Sequence, residues 1–173
     1  MRSLFKYRDK VVAKFLAEGV FVYANKVRHE LPLVYIFFRV SMFTETITSR
    51  FSETDVLGHI NNTVLPVWFE AARAPIFRFF TPDLNPYEWK LIIAKVEVSF
   101  VGELFYGHDV TVKTSVEHVG SSSFVLRQEA WQQDNCCAVG KTVLVRYDFA
   151  NKCSQKLDEQ ERADLTAHLI ADE

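Results

Sequence analysis

The segment from Thr63 to Phe80 constrains the fold of this chain more than any other part of the sequence. Its polar residues are Glu70, Arg73 and Arg78, and apolar residues cover nearly every side of the helix that it would form. A helix that is apolar all round is buried in a protein core. We therefore expect the rest of the chain to wrap around this segment.

Two prolines shape this predicted helix. Pro66 falls in the first turn, where a missing N–H costs little, whereas Pro75 removes a backbone hydrogen bond and should bend the helix near Ala71. Glu70 and Arg73 lie three residues apart and can pair along one face. We expect this pairing to be structural, with contact to a substrate as the alternative.

The remaining pattern is that of a sheet. Five segments are rich in β-branched residues or alternate between polar and apolar residues, which predicts strands at 44–51, 90–101, 109–119, 123–133 and 139–149. A closing helix is predicted over Asp158–Ile170. Four strands in succession favour antiparallel neighbours. The pattern thus predicts an α+β fold, in which a curved antiparallel sheet of five strands wraps a long buried helix.

A polar turn leads into the buried helix. It reads Asp55-Val-Leu-Gly58-His59-Ile-Asn61-Asn62 and is followed by Trp68-Phe69-Glu70-Ala-Ala-Arg73, with Gly120-Ser121-Ser122 further along the chain. These motifs resemble the signature of the 4-hydroxybenzoyl-CoA thioesterase family, which has the hotdog fold. The resemblance implies a helix wrapped by five strands, pairing of sheets in a dimer, and binding of acyl-CoA thioesters across the dimer interface.

Asp55 is the main candidate for catalysis. Its residue type and place also suit a simple turn or helix cap, but the resemblance implies a catalytic acid. A carboxylate beside a thioester can act as a nucleophile, giving a mixed anhydride, or as a general base toward water. The sequence does not choose between these two roles.

The start of the helix offers hydrogen-bond donors for an oxyanion. Asn61, Asn62 or Thr63 can cap the helix, and we expect Asn62 to do so. We expect the backbone N–H groups of Asn62 and Thr63 to face a bound carbonyl, with the helix dipole adding to their effect. His59 either orients Asp55 or Asn61 or is a packed histidine at an interface. No second ligand at useful spacing accompanies it, so we predict no metal site.

Three further residues are candidates for substrate binding: Asn61, Leu65 and Ser122. Leu65 lies in the first helical turn, at a position where the family often has an aromatic residue. Ser122 could hydrogen-bond near the carboxylate or the CoA arm, or could simply belong to a turn. We expect no cofactor, because coenzyme A would be part of the substrate.

Composition narrows the class of protein. Apolar residues make up 49% of the 173, which excludes a disordered chain, and the net charge of −2 argues against nucleic-acid binding. The three cysteines have no zinc-site spacing and are expected to be reduced thiols in a cytoplasmic protein. The longest uncharged apolar run, residues 31–38, is too short to span a membrane.

The first 41 residues differ from the rest in charge. They hold eight Lys or Arg and three acids, whereas residues 42–173 hold 12 and 19. We predict an N-terminal extension over 1–41 and a hotdog thioesterase domain over 42–173. The extension is either a surface or membrane-facing arm, within which residues 10–24 could form an amphipathic helix, or a dispensable leader before a start at Met42.

Two functions from different classes remain open. The first is an acyl-CoA thioesterase that releases a free acid and CoA, acting as a homodimer or homotetramer. The alternative is a non-hydrolytic hotdog protein that binds an acyl thioester or a protein partner. The acid at position 55 favours the enzyme, because a pure binder does not need a carboxylate at the helix start.

Overall fold

The computed structural model describes residues 42–170 together with the backbone of four earlier strands, β1 to β4. These strands are Phe5–Tyr7, Lys10–Val12, Phe21–Asn25 and Leu33–Phe37. The chain divides into two compact units, residues 1–40 and 41–173. The division falls one residue from the predicted boundary, and the role of the first unit stays a prediction.

The first unit contains an antiparallel sheet in the order β1-β2-β3-β4. The amphipathic helix predicted over residues 10–24 is therefore wrong at both ends, and its middle, residues 13–20, lies outside the described residues. Valines and aromatic residues at these ends suit strands better than helices. Pairing with neighbouring strands stabilises the strand conformation over the helical one, since β3 pairs with β4 along all five of its residues.

The second unit has the predicted α+β architecture. Its sheet contains β5 (Phe43–Ile47), β6 (Leu91–Phe100), β7 (Val110–Val119), β8 (Ser123–Gln132), β9 (Asn135–Asp148) and β10 (Cys153–Ser154). All pairings are antiparallel, in the order β5-β7-β8-β9-β6, with the short β10 beside the last residues of β9. The five predicted strands are confirmed, and β10 is an addition.

The predicted buried helix is two helices, α1 (Val64–Ala71) and α2 (Ala74–Phe80). The break follows the predicted bend, because Pro75 in the first turn of α2 has no N–H to continue the ladder of α1. At the junction the N–H of Arg73 donates to Glu70 O at 3.1 Å. The predicted closing helix is α3, Glu159–Thr166, which is shorter than expected at its end.

One face of the sheet, the inner face, packs against the helices. Two clusters of buried side chains form the core, the first around α1 with Trp68 and Phe69, and the second around α2 and α3 with Phe80 and Leu165. Phe69 lies against Gly140 of β9, where an added Cβ would come within 2.7 Å of the ring. This glycine lets α1 approach the sheet closely.

The expectation that sheet buries the helix on nearly every side is wrong for α1. Residues 66, 67, 70 and 71 are exposed, since the sheet covers one side of the helix. Part of the inner face of β6 is also exposed, although Leu91 and Val98 on the same face pack into the core. Ile93 and Phe100 stand opposite buried Leu144 and Ala138 of β9, yet they are 44% and 53% exposed.

The predicted ion pair between Glu70 and Arg73 does not form. Glu70 is exposed, whereas Arg73 is 2% exposed and its Nε donates to Gln128 Oε1 at 2.8 Å. Gln128 Nε2 donates in turn to Phe69 O at 2.7 Å and to Thr114 Oγ1 at 3.1 Å. Burial lowers the pKa of Arg73, and the nearby Glu70 charge raises it. A neutral amide thus holds a buried guanidinium at the junction of α1 and α2.

No helix in the described part of the chain is both long and apolar enough to cross a membrane.

We predict that Gly140→Ala lowers the free energy of unfolding by about 1–3 kcal/mol, because the new methyl group displaces the Phe69 ring from its place on the sheet. Adding Phe69→Leu should recover part of this loss by making room. Chemical denaturation of the two single variants and the double variant measures the coupling. Strictly additive losses would show that the close approach does not constrain the core.

Candidate active site

A tight hairpin carries the predicted catalytic acid. Thr54 and Ile60 form an antiparallel bridge, and Asp55 N donates to His59 O at 2.8 Å. Gly58 turns the chain with φ +82°, a conformation that residues with a Cβ rarely adopt. The sequence between the bridge residues therefore folds back on itself just before α1.

The Asp55 carboxylate has one engaged oxygen and one oxygen without a partner. Oδ1 accepts from Leu57 N at 2.8 Å and from His59 N at 3.0 Å, so it closes the hairpin. No hydrogen bond from residues 42–170 reaches Oδ2. The turn role and the catalytic role are thus compatible, because they use different oxygens of the same half-buried side chain.

The side chain of Asn61, rather than that of Asn62, binds the backbone at the start of α1. Its Oδ1 accepts from Thr63 N at 3.0 Å and from Thr63 Oγ1 at 2.8 Å. The N-cap position itself belongs to Thr63, whose side chain does not cap the helix. Of the three residues predicted as possible caps, Thr63 holds the N-cap position, and Asn61 forms a turn just before it by accepting from the N–H two residues ahead. The Asn62 side chain, expected to cap the helix, makes no hydrogen bond to the described residues.

The hydrogen bond from Thr63 N to Asn61 changes the set of predicted oxyanion donors. The N–H of Thr63 is occupied by Asn61 and does not point freely at a ligand. Asn62 is exposed, and its N–H makes no hydrogen bond within the described part of the chain. Of the two donors expected from the sequence, only that of Asn62 is available to a bound carbonyl.

His59 holds Asp55 through its backbone rather than its ring. The imidazole packs edge-on against Phe105, with ring centroids 4.9 Å apart, and its Nε2 lies 3.8 Å from Glu103 Oε1. Neither Asp55 nor Asn61 receives a hydrogen bond from the ring among the described contacts. His59 thus orients Asp55 through its N–H, whereas its ring packs on Phe105; a role at an interface stays a prediction.

The other two candidate residues do not join Asp55 within one chain. Leu65 is 1% exposed and belongs to the core cluster around α1, so it presents no surface to a substrate. Ser122 lies in the turn between β7 and β8, where its carbonyl accepts from Arg146 N at 2.9 Å. The Asp55 hairpin is at the opposite end of β7, roughly 30 Å away for a ten-residue strand.

Sequence reasoning missed Glu53 as a residue that builds this site. Its Oε1 accepts from Trp68 Nε1 at 3.2 Å, its Oε2 from Arg50 N at 2.7 Å, and its carbonyl from Asn61 N at 2.8 Å. It therefore ties the hairpin to α1. The only signal was its place two residues before Asp55, because contacts across fifteen residues leave no periodic pattern.

The cysteines take no part in the site. All three are free thiols, as predicted, and burial raises the pKa values of Cys136 and Cys137. A raised pKa keeps these two thiols protonated and poorly nucleophilic near neutral pH.

Known proteins share both this fold and this sequence pattern. The sequence profile of the thioesterase-like superfamily matches residues 49–169 of this chain. The chain belongs to this superfamily. A predicted thioesterase from Bacillus stearothermophilus is 42% identical, with a TM-score of 0.74 over 77% of this chain and 100% of that one.

Two further solved structures extend the likeness. A thioesterase from Thermus thermophilus, in complex with coenzyme A and Zn, is 27% identical, with a TM-score of 0.64 over 72% of this chain and 91% of that one. A variant of 4-hydroxybenzoyl-CoA thioesterase, in complex with 4-hydroxybenzoyl-CoA, has a TM-score of 0.61 at 16% identity over 72% and 98%. The predicted family and the hotdog fold are confirmed.

We predict that Asn61→Ala lowers the free energy of unfolding by about 1 kcal/mol, because Thr63 N–H loses its acceptor at the helix start. Asn62→Ala is the matched control and should change it by less than about 0.5 kcal/mol, since its exposed side chain makes no hydrogen bond with the described residues. Thermal and urea unfolding measure both. Equal losses in the two variants would contradict the role given to the Asn61 side chain at the helix start.

Proposed function

We propose that this protein is an acyl-CoA thioesterase in which Asp55 performs the reaction. The observation that carries the proposal is the divided use of the carboxylate. Oδ1 is fixed by Leu57 and His59 N–H groups, which leaves Oδ2 oriented and without a partner in the described chain. A reactive group held in one orientation by its own backbone needs little reorganisation before it reacts.

Asn62 supplies the second half of the proposed chemistry. Asn62 is an exposed residue just before α1, where the helix dipole favours negative charge, and its N–H has no partner in the described chain. When the thioester carbonyl is attacked, its oxygen becomes an oxyanion that this donor can stabilise, a contribution worth about 2.7–4 kcal/mol per donor in comparable sites.

Two routes use the same carboxylate oxygen. In the first, Oδ2 attacks the carbonyl carbon, CoA leaves as a thiolate, and water hydrolyses the resulting mixed anhydride to regenerate Asp55. In the second, Asp55 accepts a proton from the water that attacks the carbonyl. Both routes give a free acid and CoA. The bound coenzyme A of the Thermus thermophilus relative supports a CoA thioester as the substrate class.

The non-hydrolytic alternative has one specific observation in its favour. Asp55 closes the hairpin through two hydrogen bonds, so its presence has a structural reason that requires no catalysis. A binding protein with the same fold would keep Asp55 for that reason alone. The two functions predict different results when the charge of Asp55 alone is removed: an enzyme would lose hydrolysis, whereas a binding protein would have no hydrolysis to lose.

We predict that Asp55→Asn lowers kcat for acyl-CoA hydrolysis at least about 10²-fold, because an amide is neither a nucleophile nor a base here. The variant keeps an Oδ1 acceptor for Leu57 and His59, so its melting temperature should stay close to that of the wild type. Thiol release from a panel of acyl-CoA chain lengths measures the rate.

Asp55→Ala serves as the structural control, because it loses the hairpin acceptor as well as the charge. It should be both inactive and less stable. Turnover near the wild-type rate in a folded Asp55→Asn protein would refute the catalytic role and leave Asp55 with its role in the turn only.

We also propose that the active form is an oligomer built on a dimer. Among the described strands only β9 pairs with β6, which leaves the other edge of β6 with unpaired backbone groups. The exposed Ile93, Val96 and Phe100 form an apolar strip on its inner face. A second copy is also the means by which Ser122 could approach Asp55, since one chain keeps them at opposite ends of β7.

We place the protein in the cytoplasm, where its thiols would stay reduced.

We predict that Val96→Glu weakens association, because it places a charge in the apolar strip of β6. Ser99→Glu is the control, since Ser99 stands opposite Val139 and lies on the other face of the same strand. Light scattering should give at least twice the chain mass of 20.0 kDa for the wild type and the control, and a smaller mass for Val96→Glu. A wild-type monomer with full activity would refute the proposed assembly.

A further inference from the structure

The segment that joins β6 to β7, residues 101–109, is bound to the Asp55 hairpin. Ile60 N donates to Leu104 O at 2.7 Å, and His59 and Phe105 form an isolated antiparallel bridge. The two rings of that bridge meet edge-on at 83°. The hairpin therefore takes its position from this segment as well as from α1.

One buried amide fixes the same segment to the sheet. Gln132, the last residue of β8, is 5% exposed. Its Oε1 accepts from Phe105 N at 2.9 Å, and its Nε2 donates to Phe105 O at 2.9 Å and to His108 O at 3.2 Å. Both polar backbone groups of Phe105 are thus bound by one side chain, as a neighbouring strand would bind them.

These contacts form a continuous path to the candidate catalytic carboxylate. Gln132 holds the backbone of Phe105, Phe105 is bridged to His59, and His59 N donates to Asp55 Oδ1 at 3.0 Å. A shift of Phe105 would therefore move the donor that orients Asp55. We propose that Gln132 is a positioning residue that holds the Asp55 carboxylate in its reactive orientation; this rests on the proposed thioesterase function.

The Gln132 amide makes no hydrogen bond to any other part of the described chain. All three hydrogen bonds of its side chain go to the segment between β6 and β7, whereas the backbone of Gln132 pairs with Asn135 of β9. Loss of the amide would leave the N–H and the carbonyl of Phe105 without their partner. Because Phe105 is itself 42% exposed, water can bind these groups, and the segment then loses its attachment to the end of β8.

The test uses two variants of Gln132 in the full chain. Gln132→Leu removes all three hydrogen bonds, and Gln132→Glu keeps the acceptor for Phe105 N but removes both donors, which gives a second variant of similar size. Gln133→Asn is the control, because Gln133 is exposed, its amide reaches only His108 Nδ1 at 3.4 Å, and Asn tolerates its φ of 48°.

For both Gln132 variants we expect kcat to fall about 10- to 100-fold, with KM changed less than about threefold, because the defect concerns alignment of the reacting group. In the Asp55→Asn background, the same substitutions should lower the residual rate by less than about twofold. The control should match its parent in both backgrounds. Equal fold losses with and without Asp55, or wild-type kcat in a folded Gln132 variant, would overturn the proposal.

Hydrogen exchange separates this inference from the proposed function. The amides of Leu57 and His59, which bind Asp55, should exchange faster in the Gln132 variants than in the wild type or in Gln133→Asn. Unchanged exchange in a folded Gln132 variant would refute the positioning role. If Asp55→Asn is fully active, the proposed catalysis fails, while the exchange result still decides whether Gln132 controls the hairpin.

Discussion

The hydrogen bonds to one oxygen of Asp55 are the interaction on which the rest of the site depends. They close a hairpin at the point where the chain passes from the sheet into α1, and they leave the second oxygen without a partner in the described chain. Glu53 ties this hairpin to Trp68 of α1, and Gln132 ties it to the end of β8 through Phe105. Side chains held by packing and hydrogen bonds keep a reactive group in place better than a free loop does.

Much of the fold could be predicted from the sequence, because strands and a buried helix leave local patterns. The five strands, the bend before Pro75 and the closing helix follow from periodicity and from proline chemistry. Two features could not be read in that way. Arg73 pairs with Gln128, fifty-five residues away, and the strands of the first unit depend on partners that propensity does not reveal.

The candidate site was predicted less completely. Asp55 lies in the turn before α1 that its motif indicates, but the Asn61 side chain occupies the N–H of Thr63, Leu65 is buried, and Ser122 lies at the far end of β7. The spacing of a motif indicates which residues form the candidate site, but it does not show which lone pair or N–H of each residue makes a hydrogen bond. Those details follow from backbone geometry, as the engaged N–H of Thr63 demonstrates.

The central claim is that Asp55 and Asn62 act on the same thioester carbonyl. A crystal structure of the Asp55→Asn protein with a hydrolysis-resistant acyl-CoA analogue tests it most directly. We predict that the carbonyl oxygen lies about 2.7–3.1 Å from Asn62 N, and that the carbonyl carbon lies within about 3.5 Å of the side chain at position 55. An analogue bound with its carbonyl away from both groups would contradict the account.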